Sequence, residues 1–219
     1  MKIPVNEPVI APESKQAVIE ALETGWVSSA GPCITQFERE FADFLGMKHG
    51  VAVMNGTAAL HLALASLRIG PGDEVIVPDF TMISTVAAVM YTGATPVFVD
   101  VDPETFAIDP VLMAQAITPR TKAIIPVHLY GHSADMDPIL ETAQKHNLAV
   151  VEDAAEVHGA TYKGKLCGSM GVMNCFSFYA NKLITTGEGG MVVTNDNALA
   201  ERAKRLRDLA HSPEKRFVH

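Results

Sequence analysis

The sequence predicts an α/β protein with a mostly parallel central sheet and helices on both faces. Three observations carry that prediction. From Val51 to Asp153 short apolar runs alternate with turns and helix-like stretches. Several of those runs are near-continuous Val and Ile, as in strands buried on both faces. And 219 residues with 48% hydrophobic and 19% charged side chains can bury one large core.

Pro12 at a first-turn position, Val18, Ala21 and Leu22 on one face, and Gly25 just beyond predict a first short helix. The stretch TGWVSSAGP that follows reads as a loop, with the only tryptophan, Trp26, placed either to touch a ligand or to anchor in the core. Ile34, Phe37, Phe41 and Leu45 recur at helical spacing and end at Gly46. Strands are then expected at 51–54, 74–77, 96–99, 122–127 and 148–151, the last running into Glu152 and Asp153. The helices between them are expected at 58–67, 84–90, 111–116 and 138–146. After Asp153 the rhythm breaks. A small hairpin is expected over 161–168, strands at 175–179 and 191–194, and a last amphipathic helix through Leu199, Ala203, Leu206 and Ala210, capped by Asn195 or Asp196.

A net charge of −8 and a pI near 5.4 argue against nucleic acid or an anionic membrane surface as main partner, since both call for a basic face. Cys33, Cys167 and Cys175 lie far apart, with no paired metal-ligand spacing, so neither a disulfide framework nor a metal site is expected. The N-terminal stretch has no hydrophobic signal core and no apolar run approaches a membrane span, so a cytoplasmic protein is expected.

Four features bear on chemistry. In FSFYANKLITTGEGG, apolar and aromatic residues lead into Lys182, and a Gly-rich loop carrying Glu188 follows. An amine among apolar neighbours loses solvation in its charged form and becomes a usable nucleophile near neutral pH, which makes Lys182 a candidate Schiff-base lysine. Asn55-Gly56-Thr57 is a strand-to-helix turn, where free N–H groups, the helix dipole and a small hydroxyl make an anion site. Asp153 ends an apolar strand, where a buried carboxylate is costly unless a cation or several donors meet it; a capping role is the alternative. Ser177, five residues before Lys182, offers a second hydroxyl to an anion. Together these match the needs of pyridoxal 5'-phosphate, which takes a lysine for its aldehyde, a carboxylate opposite its ring nitrogen and neutral donors for its phosphate.

NGTAALHLAL, GDEVIVP, VFVDVD, PVHLYG, VEDAAE and FSFYANKLITTGEGGMVVTND, in that order, resemble the DegT/DnrJ/EryC1/StrS family of fold-type-I pyridoxal phosphate aminotransferases acting on nucleotide-linked sugars. TGWVSS, the DMDPI after VHLYG, and DAAE are most similar to the branch that makes 4-amino-4,6-dideoxy sugars.

The resemblance implies that Lys182 forms the Schiff base and later moves the proton, and that Asp153 meets the ring nitrogen. It also implies that Gly56, Thr57 and Ser177 hold the phosphate, that Glu156 lies near the ring hydroxyl, and that Met82 stands where relatives commonly place an aromatic over the ring. Trp26, Ser28 and Ser29 are implied in substrate binding; His132, where many relatives have Gln, is given no catalytic role. Residues 1–50 would form an N-terminal helical segment and active-site loop and 51–219 the cofactor-binding large domain, the family's C-terminal small domain being absent. L-glutamate would be the amino donor, a nucleotide-linked 4-keto-6-deoxy sugar the acceptor, and a homodimer with active sites at its interface the assembly. The alternatives are a sugar 3-dehydratase, a branch that carries His where this chain has Lys182, and an inactive remnant that binds cofactor or a partner without turnover.

Overall fold

The structure is a computed structural model that describes residues 9–28 and 31–209. Its centre is a seven-stranded sheet in the order β1-β9-β8-β5-β4-β2-β3. The strands are β1 (His49–Val53), β2 (Glu74–Pro78), β3 (Thr95–Val99), β4 (Thr121–Ile124), β5 (Ala149–Asp153), β8 (Met173–Ser177) and β9 (Gly190–Thr194); β6 (Thr161–Tyr162) and β7 (Lys165–Leu166) form a separate hairpin. Only β9 runs against the others, pairing antiparallel with both β1 and β8. The remaining neighbours pair in parallel, as the alternating pattern requires.

Side-chain alternation along the strands divides the core in two. Val75, Val77, Val151, Cys175 and Val192 pack on one face beneath α3 (Gly56–Ser66), α4 (Ile83–Tyr91) and α7 (Asn197–Arg207). Their neighbours Ile76, Val150, Phe176, Met191 and Val193 face the other side, towards α2 (Pro32–Phe44), α5 (Pro110–Gln115) and α6 (Met136–His146). This period of two decides where the polar residues at the strand ends go. Asp153 shares the parity of Val151 and Ser177 that of Cys175, so both belong to the α3–α4 face, whereas Glu152 belongs to the opposite face.

Strand and helix boundaries fall within a few residues of expectation, with three differences. β4 stops at Ile124 rather than Val127, because Pro126 has no N–H to give; Val127 makes only an isolated bridge to Asp153. Gly56 and Thr57 are the first turn of α3 rather than a separate turn. The apolar stripe of α1 (Pro12–Glu23) is not buried, and Trp26 is 53% exposed, so the tryptophan is no core anchor. Asp196 caps α7, its side chain accepting from the Leu199 N–H; Ala210 lies outside the described residues. No described helix is long and apolar enough to cross a membrane.

Candidate active site

The carboxyl ends of β5 and β8 meet the start of α3 at one cleft of about 440 Å³. Asn55 sits in extended backbone and its side chain accepts from the Ala58 N–H at 2.8 Å, capping α3. One cap cannot satisfy a whole first turn, so the leading N–H groups of Gly56 and Thr57 remain for a ligand. The close approach of these elements requires glycine twice. A Cβ on Gly56 would stand 2.8 Å from Ser177 Cβ, and one on Gly190 would stand 2.3 Å from the Asn55 carbonyl oxygen. Ser177 is buried and its Oγ accepts from the Tyr179 N–H at 3.3 Å, which leaves its own proton to donate. The turn at 55–57 and Ser177, distant in sequence, therefore form one set of donors with no acidic side chain among them.

Asp153 lies at the same cleft, 5% exposed. Its Oδ2 accepts from the Thr85 hydroxyl at 2.8 Å and its Oδ1 from the Ala155 N–H at 3.2 Å. Burial pushes its pKa above the usual carboxylate range, and these two donors oppose that shift. A buried carboxylate with two neutral donors suits a cationic partner.

Lys182 Nζ lies 2.9 Å from Glu156 Oε1. Glu156 is itself fixed, its Oε2 accepting from the Tyr130 N–H at 3.1 Å and its carbonyl from the Gly131 N–H. The apolar surroundings expected for Lys182 are not what the structure shows. Leu183 and Ile184 point into solvent and the amine faces an acid, because the residues after Ser177 leave the sheet and turn back over the cleft.

Gly56, Thr57, Met82, Asp153, Glu156, Ser177 and Lys182 thus line a single cleft. Glu188, from the Gly-rich loop, also reaches it, while His132 lies exposed outside it. Trp26 and Ser28 are not brought there. Ser28 lines a separate hollow of about 850 Å³ beside α3, and Ser29 lies outside the described residues. Sequence reading missed Thr85 and His128. Thr85 carried no sequence signal of its own: Thr81 precedes α4, so no helical spacing links the two hydroxyls, and they meet only once the segment before the helix is folded.

The pattern of the DegT/DnrJ/EryC1/StrS aminotransferase family matches residues 8–219. A GDP-perosamine synthase of Caulobacter vibrioides is 54% identical over 216 residues, covering 99% of this chain and 58% of that protein. Among solved structures, 3-amino-5-hydroxybenzoic acid synthase superposes with a TM-score of 0.93 at 42% identity, over 100% of this chain and 58% of that one. The PLP form of a sugar aminotransferase, Spr1654 of Streptococcus pneumoniae, gives 0.89 at 34% identity, over 94% and 58%. The chain therefore spans somewhat over half the length of the relatives it matches.

Proposed function

The chain belongs to the DegT/DnrJ/EryC1/StrS aminotransferase family, and we propose that it acts as a pyridoxal phosphate-dependent aminotransferase passing an amino group from L-glutamate to a nucleotide-linked 4-keto-6-deoxy sugar. The amino sugar made would be of the perosamine type, and the setting the cytoplasm. The observation that carries this reading is the convergence of Lys182, Asp153 and the α3 N-terminus in one cleft.

The residues fit the cofactor. Among the described residues Asp153 is hydrogen-bonded only to neutral donors, so a protonated ring nitrogen would suit it as a charged partner. The Gly56 and Thr57 N–H groups, the Thr57 and Ser177 hydroxyls and the α3 dipole suit a phosphate. When bound, pyridoxal phosphate supplies a carbonyl that carries the amino group and a ring that draws off electrons from the reacting carbon.

The protein's own groups do the rest. Asp153 would meet the ring nitrogen; a unit charge pair in contact is worth roughly 5 kcal/mol at an effective dielectric of about 20 before desolvation, which would favour a protonated ring. Lys182 supplies the amine that tethers the cofactor and, once released, a base able to take a proton from the substrate carbon and return it. Glu156, anchored by the Tyr130 N–H, orients that amine. Met82 lines the cleft beside these groups with a polarizable thioether in place of an aromatic. We further read residues 1–50 as a helical segment and active-site loop attached to a cofactor-binding domain over 51–219. The catalytic unit is taken to be a homodimer whose interface borders the cleft.

The test is to incubate the cofactor-loaded protein with L-glutamate and a nucleotide-linked 4-keto-6-deoxy sugar and to follow products by mass spectrometry. Glutamate-dependent appearance of the amino sugar is expected. Loss of the sugar's 3-hydroxyl without nitrogen uptake would identify a dehydratase, and cofactor uptake with no turnover a binding remnant.

A further inference from the structure

Behind Asp153 stands a chain of two hydroxyls. Thr85, fully buried in the first turn of α4, donates to Asp153 Oδ2 at 2.8 Å, and Thr81 Oγ1 lies 3.0 Å from Thr85 Oγ1. A threonine hydroxyl has one proton to give. With that proton committed to the carboxylate, the Thr85 oxygen is left to accept from Thr81, so both hydroxyl dipoles point at Asp153. Were Asp153 protonated, the acid would donate to Thr85 and the chain would run the other way. The orientation of the pair is therefore coupled to the charge on the acid, and two aligned donors strengthen one another.

Placement makes the coupling specific to the cleft. Thr81 and Thr85 bracket Met82, which lines the same cavity, so one short segment supplies both a cleft wall and the donors to its acid. The other carboxylate oxygen has only the longer Ala155 N–H contact at 3.2 Å. His128 and Lys182 stand near Asp153, and neither hydrogen-bonds to its carboxylate among the described residues. Among the described residues Thr85 is thus the one side chain seen to donate to the carboxylate, and by doing so it fixes its plane.

We propose that Thr85, backed by Thr81, is a positioning residue that holds Asp153 ionised and turned towards the ring nitrogen of the cofactor. This rests on the cofactor reading above and acts wholly through Asp153. Thr85→Val keeps the shape of the side chain and removes the donor, Thr85→Ser keeps the donor and removes a methyl, and Thr81→Val removes the second hydroxyl alone.

Two measurements separate this role from a packing role. The first is the titration of the Asp153 carboxyl in cofactor-free protein, followed by carbon-13 NMR and identified by its absence in Asp153→Asn. The second is the dissociation constant for pyridoxal phosphate. Thr85→Val should move the titration midpoint upward and weaken cofactor binding about tenfold or more. Thr85→Ser should restore both, and Thr81→Val should move both in the same direction by less. Wild-type values for Thr85→Val, or no rescue by serine, would overturn the proposal. If Thr85→Val does not fold, an unshifted Asp153 titration in Thr81→Val overturns it. A wild-type protein that takes up no cofactor would refute the functional reading while leaving the titration to decide the role of Thr85.

Discussion

Asp153 occupies a place that folding alone does not favour, since burial raises its pKa and, among the described residues, no cation pairs with it at hydrogen-bond distance. Asp153→Asn keeps the shape and removes the charge. It should cost the cofactor-free protein no stability, as read by thermal melting, while lowering kcat/KM about a thousandfold through loss of the ring's charge partner. His158 gives a second test at this scale. It is 7% exposed against Phe176 and Phe178, and burial pushes its imidazole down to about 4. The folded chain then holds fewer protons than the unfolded one between about pH 4 and 6.5, so stability is complete above 6.5 and falls as pH drops through that window. The loss should approach about 3 kcal/mol in denaturant titrations, and His158→Phe should flatten the slope. Lys182 and Asp153 were legible in the sequence because each ends or follows an apolar strand and has a chemical reason to be there. Thr85 was not, since a threonine inside an apolar helix reads as ordinary packing until the strand it faces is known. The contact between Lys182 and Glu156 was equally hidden, because the two are 26 residues apart and meet only when the Gly-rich loop folds back.

At the level of elements, the close seating of α3 on β8 and β9 decides whether the donors converge. Gly56→Ala would place a methyl 2.8 Å from Ser177 Cβ, and the backbone of β8 cannot yield as a flexible side chain would. A loss of about 1–3 kcal/mol in unfolding free energy is expected, with weaker cofactor binding because Gly56 and Ser177 are pushed apart. Wild-type stability and affinity would show that α3 is seated more loosely than described. The strands and helices of the alternating region could be read from local pattern, since each carries its own periodicity. The order of the sheet could not. β9 enters between β1 and β8 and runs against both, and its pairing with β1, which sets Val51 opposite Val192, joins segments far apart in the chain that no local pattern encodes.

For the whole molecule, large apolar side chains stand exposed around the cleft. Met82 is 68% and Tyr91 64% exposed on its lining, and Ile83 there is similarly open. Exposed apolar surface beside a cleft is the kind of surface that the proposed homodimer would cover. Light scattering on the purified chain should give at least twice the 23.5 kDa subunit mass, and a stable monomer at micromolar concentration would contradict the dimer proposal. The acidic balance and the absence of metal-ligand spacing set expectations about partners from composition alone, whereas the place of the loop carrying Trp26 and Ser28 could not be read from it. Trp26 and Ser28 lie away from the Lys182 cleft, and a loop carries no periodic signal to place it. All of these readings depend on Lys182 as the covalent anchor of the cofactor. Adding pyridoxal phosphate, reducing with borohydride and mapping the modified peptide by mass spectrometry tests this most directly. The account predicts a single phosphopyridoxyl group on Lys182, absent from Lys182→Ala together with the visible absorbance band. Labelling spread over other lysines, or a band that survives Lys182→Ala unchanged, would contradict it.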